Sequence, residues 1–202
     1  GGTDITTDLP FQGTLTAPEN SSVVSPLSSL VSQVQQESGQ SGEDAEAQVK
    51  RALGLDDEVD LNTFDPLATL DDENATDEQK QAALQVQSAT VQVAIVTSLA
   101  GSARSGATGD DDVGASNDQA LSAIASAISQ AGDDGTVDLS DSETIGNIVR
   151  DAVTRGQDAD DPALDDDQVD NIVNNVGELA RNANERVRDA ADGGGDAAEA
   201  LE

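Results

Sequence analysis

The side chains best equipped for chemistry in this sequence are carboxylates. Asp and Glu number 41 against nine Lys and Arg. Many stand side by side, as in Asp56-Asp57, Asp71-Asp72, Asp133-Asp134, Asp160-Asp161 and Asp165-Asp166-Asp167. Two carboxyls can share general acid/base work when a pocket holds them at a set separation and pushes their pKa values apart. At this abundance neighbouring acids arise from composition alone, so adjacency assigns no catalysis. The chain has no His and no Cys. It therefore lacks an imidazole base, a thiolate nucleophile and the ligands for a tetrahedral zinc, haem or iron–sulfur site. The reading is a protein that is not an enzyme, with no catalytic residue to name.

Calcium is the better chemical candidate, because hard cations take oxygen ligands. Gln130 to Asp141 partly follows the twelve-residue EF-hand loop. Gly135 falls at the glycine position, Val137 at the next apolar one, and Asp134, Asp138 and Asp141 at ligand positions. Gln130 and Gly132 occupy the first and third positions, where main ligands belong. The alternative is that Gly132 to Gly135 is a turn and Val137-Asp138-Leu139-Ser140 leads into a capped helix. Asn20-Ser21-Ser22 and Asn74-Ala75-Thr76 match the N-glycosylation acceptor pattern, with Asn20 and Asn74 as the candidate sites.

Composition narrows the setting. The net charge is -32, Asp outnumbers Glu 29 to 12, and Lys50 and Lys80 are the only lysines. Such a surface repels phosphate, which excludes nucleic acid as a partner. Self-repulsion of this size opposes compaction in dilute buffer. At about 1 M salt the Debye length falls to roughly 3 Å and the repulsion is screened. The expectation is a halophilic protein whose partners include the cations of a high-salt medium. Leu, Ile, Val and Phe supply 43 of 202 residues, close to the level of disordered chains. Their regular spacing argues for a fold. No Met is present and no apolar run approaches the roughly 18 residues of a membrane span. The expectation is a processed or excised segment of a secreted precursor, extracellular and without a membrane span.

The elements that must position these residues are mainly α-helical. Asp4 to Thr7 and Phe11 to Thr16 have strand chemistry, giving a short N-terminal β-hairpin or strand pair. Ser25-Pro26 starts a helix with Leu27, Leu30, Val31 and Val34 on one face, ended by Gly39. Residues 43–53 form a second, with Ala45, Val49, Ala52 and Leu53 ahead of Gly54. Asp65-Pro66 opens a short third. A capping box at Thr76 and Gln79 opens a fourth, to about Ala100, with Ala83, Leu84, Val86, Val91, Ala94, Ile95 and Leu99 as its stripe. Boxes at Ser116/Gln119 and Ser140/Glu143 open helices carrying Leu121, Ile124, Ala125, Ile128 and then Ile145, Ile148, Val149, Val153. A last helix from about Asp165 to Ala191 carries Val169, Ile172, Val173, Val176, Leu179, Ala180 and Val187. The fold class is a helical bundle of about six to seven helices. Its expected divisions are 1–22 (β segment and linker), 23–100 (first helical subdomain), 101–115 (Gly/Ser/Asp connector), 116–191 (second helical subdomain) and 192–202 (acidic tail).

One resemblance adds to this. The run Gly1 to Ile5, then Leu9-Pro10-Phe11-Gln12-Gly13-Thr14-Leu15-Thr16-Ala17-Pro18, then Ser25-Pro26-Leu27-Ser28-Ser29-Leu30-Val31, resembles a module of very large secreted bacterial adhesin-like surface proteins. Ala52-Leu53-Gly54-Leu55 and Val59-Asp60-Leu61-Asn62-Thr63-Phe64-Asp65-Pro66-Leu67 continue the likeness, which covers roughly residues 1–100. It implies a structural role on a cell surface. Unpaired strands recruit other chains, so Ile5, Phe11 and Leu15 are candidate assembly residues of a strand-mediated homopolymer. The functional expectation is a self-assembling filament, surface-layer or adhesin subunit. The alternative is a calcium-binding accessory module of a larger secreted protein or enzyme.

Overall fold

The computed structural model describes residues 14–19, 21–109, 111–132, 135–155 and 164–193. Within them the chain is mainly helical, with seven helices and no strand. These are α1 (Pro26–Ser38), α2 (Gly42–Leu53), α3 (Pro66–Asp71), α4 (Asp77–Thr108), α5 (Val113–Ala131), α6 (Ser142–Thr154) and α7 (Asp166–Asp192). The expected strand over residues 4–7 and the first residues of the second lie outside the described residues. Residues 14–18 are irregular rather than strand.

Each helix starts where a short polar side chain can satisfy the free N–H groups of its first turn. The caps in order are Ser25, Ser41, Asp65, Thr76, Asp112, Asp141 and Asp165. Ser25, Thr76 and Asp165 form reciprocal boxes with Ser28, Gln79 and Gln168. Two expected boxes are replaced. Helix α5 begins earlier, on Asp112, and Ser116 is buried inside it. Helix α6 is capped by Asp141, one residue beyond Ser140. In both cases an ionised carboxylate, favoured by the helix dipole, takes the place expected for a neutral hydroxyl.

Helix α4 is the axis of the bundle and packs against α1, α3, α5, α6 and α7. Its buried residues include Val86, Val93, Val96 and Ala100, whereas Val91, Ala94, Ile95 and Leu99 of the expected stripe are only half-buried. A helix enclosed by neighbours has no single apolar face, so a one-stripe reading misplaces its core positions. It also runs on to Thr108, through most of the expected 101–115 connector. Tertiary contact overrides the weak helix propensity of Gly and Ser there. Gly101 lies against α5, and Arg104 Nη1 donates to the carbonyls of Ala152, at 3.0 Å, and Arg155 at the end of α6. By length and composition alone α4 is apolar enough to cross a membrane, with mean hydropathy 1.3 over an 18-residue window. Half of that window is buried inside the bundle.

One continuous core joins residues of α1, α2, α4, α5, α6 and α7 with Leu55, Val59, Leu61, Val137 and Leu139 from the loops. The expected faces of α5 and α6 are buried in full. On α7, Val169 and Ala180 are buried, but Leu179 is 56 % exposed, because the inward stripe passes through Gly177, Ala180 and Asn184 instead.

The α4–α5 crossing sets a sharp steric test. A Cβ on Gly101 would stand 2.0 Å from Asn117 Oδ1 and 2.9 Å from Asn117 Cα. Gly101→Ala is expected to lower stability by about 1–3 kcal/mol, as overpacking does. Gly106→Ala, on the same helix and facing open space, is expected to raise it by up to about 1 kcal/mol. Urea unfolding at molar salt measures both; equal effects would refute the close crossing.

Candidate functional site

The loop between α5 and α6 holds the residues with the best claim to a cation. Gly132 turns the chain out of α5 with φ of 70°. Gly135 has no room for a side chain, since its Cβ would stand 2.2 Å from the Ala131 carbonyl oxygen. Val137 N donates to Ala52 O at 2.7 Å, which pins the loop to the end of α2, and Val137 and Leu139 enter the core. Asp138, between them, faces outward. Its Oδ1 accepts from Ser140 N at 2.7 Å, and its Oδ2 lies 3.6 Å from Arg188 Nη1. Asp141 Oδ2 accepts from Thr144 N at 2.8 Å as the cap of α6. Asp134 lies outside the described residues. Among the described residues no three acidic side chains are grouped to hold a metal ion. The two carboxylates in view serve their own backbone and a neighbouring guanidinium.

That pattern extends to the paired acids. Asp56, Asp72 and Asp165 accept from the backbone N–H groups of Glu58, Asn74 and Gln168. Asp60 and Asp65 do the same for Asn62 and Ala68. The backbone N–H of Asn74 holds the Asp72 carboxyl below the usual range, and that of Thr144 does so for Asp141. Glu37 moves the opposite way. Partial burial raises its pKa against the pull of Arg155, whose Nη1 is 3.5 Å from Glu37 Oε1.

A cleft of about 360 Å³ opens beside the same loop. Leu55, Val137 and Leu139 are among its apolar residues. Gln85, Ser88 and Gln92 of α4 supply neutral polar groups, and Asp138, Arg188 and Asp192 add charge. Ser140 lines it too; it is 6 % exposed and its hydroxyl has no hydrogen-bond partner. The sequence reading noted Asp138 alone of these charged groups. Nothing in local spacing joins residue 138 to residue 188.

A second organised cluster also escaped that reading. Glu46 and Lys50, one turn apart on α2, are both buried. Lys50 Nζ donates to the carbonyls of Asp57 and Val59 at 2.7 and 2.8 Å. Glu46 Oε1 accepts from Leu61 N at 2.9 Å and Oε2 from Asn62 Nδ2. Asn62 O then accepts from Ser22 N and Val23 N. An i,i+4 acid–base pair beside the Ala45/Val49/Ala52 stripe was the available signal.

Of the assembly residues, Ile5 and Phe11 lie outside the described residues, as does the glycosylation candidate Asn20. Leu15 is half-buried on its own bundle, beside Pro26, Ala94 and Leu121. Thr14 N donates to Asp118 Oδ1 at 3.1 Å, and Thr16 N to Ser29 Oγ at 2.9 Å. Asn74 is exposed, and Thr76 of its acceptor pattern caps α4. Comparison with protein-family models, curated proteins and solved structures finds no match.

Two outcomes follow from these geometries. Lys50→Ala removes the cation beside the buried Glu46 and leaves the Asp57 and Val59 carbonyls without their donor, and is expected to cost about 3 kcal/mol in urea unfolding. Asp141→Ser keeps a capping oxygen and should preserve thermal stability, whereas Asp141→Ala should lower the melting temperature. Because the folded-state pKa of Asp141 is depressed, its stabilisation is present above its unfolded value and fades as pH falls through the folded value. The Asp141→Ala deficit should therefore shrink in acid. A deficit independent of pH would mean that the charge of the cap contributes nothing.

Proposed function

We propose that this chain is a non-enzymatic structural module of an extracellular surface assembly, folded in high salt and joined to further copies through its N-terminal residues. The observation that carries this reading is the anchoring of residues 14–16. Ser28 and Ser29 Oγ contact Thr16 O at 3.3 and 2.9 Å, so the chain is fixed to the bundle immediately after the strand-like residues Ile5 and Phe11. Whatever those residues bind is thereby tethered to the bundle. Strand addition gains backbone hydrogen bonds worth about 1 kcal/mol each net. A head-to-tail contact whose rotation does not close gives an open fibre.

Three further features support it. Aspartates turned to their own backbone suit a scaffold better than a reaction centre. The excess negative charge suits a medium rich in cations, where screening lets subunits of charge -32 approach. The sequence likeness to adhesin-like surface modules points to the same setting.

Helical circular dichroism is expected to rise steeply between dilute buffer and molar NaCl. At molar salt the full chain should form polymers by light scattering and electron microscopy. A chain lacking residues 1–12 keeps the Thr14 and Thr16 anchors and should fold as a monomer. Equal polymerisation by the shortened chain would move the joint elsewhere. A full chain that stays monomeric at every salt concentration would end the assembly reading.

A further inference from the structure

We propose that the cleft beside the α5–α6 loop binds a small zwitterion with an apolar body, an α-amino acid. This inference stands apart from the assembly reading, since the cleft is formed by described residues of one bundle. Its volume of about 360 Å³ falls within the range of small-molecule sites, about 300–1,000 Å³.

The charges select the ligand. Arg188 and Asp138 are about half exposed and stand 3.6 Å apart, beyond the roughly 2.7–2.9 Å of a charge-assisted hydrogen bond. The guanidinium has five donors, so most of its fork can receive an incoming carboxylate. Asp138 keeps Oδ1 on Ser140 N and directs Oδ2 to the Arg188 side, and Asp192 follows Arg188 by one helical turn. A wall that carries Arg188 together with Asp138 and Asp192 matches a ligand carrying one charge of each sign. A simple anion would meet Asp138 and Asp192, and a simple cation would meet Arg188. A zwitterion has no net charge and offers each end a complement. Leu55, Val137 and Leu139 suit an aliphatic side chain.

The test is titration of the folded full chain, at a salt concentration where dichroism shows full helicity, followed by NMR shifts and calorimetry. The probes are L-leucine, N-acetyl-L-leucine and L-leucinamide, which carry both charges, the negative one and the positive one. L-Leucine should bind saturably, and each blocked form about tenfold more weakly or worse, as expected when a hydrogen bond to a charged group is lost. Arg188→Gln should weaken L-leucine about tenfold, and Asp138→Asn, which retains an acceptor for Ser140 N, should do likewise. Arg181→Gln, on the same helix but paired with Glu185, should leave binding unchanged. The proposal is overturned if leucinamide matches leucine, if Arg188→Gln binds like the parent, or if L-leucine shows no saturation at millimolar concentration.

Discussion

The hydrogen bond from a backbone N–H to an aspartate two or three residues earlier is the interaction on which this fold rests. It solves two problems at once. A chain with 41 acids and nine bases cannot pair most of its carboxylates with side-chain cations. Helices and turns meanwhile leave N–H groups without partners. Asp65, Asp112, Asp141 and Asp165 meet both needs at the starts of α3, α5, α6 and α7, and Asp56, Asp60, Asp72 and Asp138 do so in loops. Aspartate can do this because its carboxyl sits one methylene from the backbone; glutamate reaches past. Eight of the 29 aspartates thus serve local backbone geometry as well as carrying surface charge.

Several of the nine cations reach from one element to another. Lys50 gathers the carbonyls of the loop after α2, and Arg104 reaches the last carbonyls of α6. Arg150 ties α6 to α7 through Asp170 at 2.5 Å. Arg155 bonds Asp151 on its own helix and approaches Glu37 at the end of α1. Around α4 these contacts close a core of aliphatic side chains, and among the described residues no aromatic is fully buried.

Local chemistry was legible in the sequence and long-range chemistry was not. Ser25-Pro26, Asp65-Pro66 and Thr76/Gln79 marked true helix starts, whereas the equally local boxes at Ser116/Gln119 and Ser140/Glu143 gave way to the nearby aspartates Asp112 and Asp141. The faces of α5 and α6 were readable because each presents one side to the core. The stripe of α4 was not, since five neighbours surround it, and its last two turns were hidden because Gly101 and Arg104 act through α5 and α6. Asp141 was visible as an acid in a loop, but its role depends on which residue begins α6. The meeting of Asp138 with Arg188 depends on α7 returning across the bundle, which no spacing in the chain encodes.

The capping bonds also bear on how such a chain can evolve. What each requires is an acceptor oxygen at a fixed distance from the backbone, and Asn and Ser provide one without the charge. Architecture and ionisation are therefore separable properties, carried by the same positions. A lineage could exchange carboxylate for amide or hydroxyl, one cap at a time, and move between briny and fresh surroundings while its helices begin at the same residues. Sequence divergence at these positions would then record habitat rather than shape.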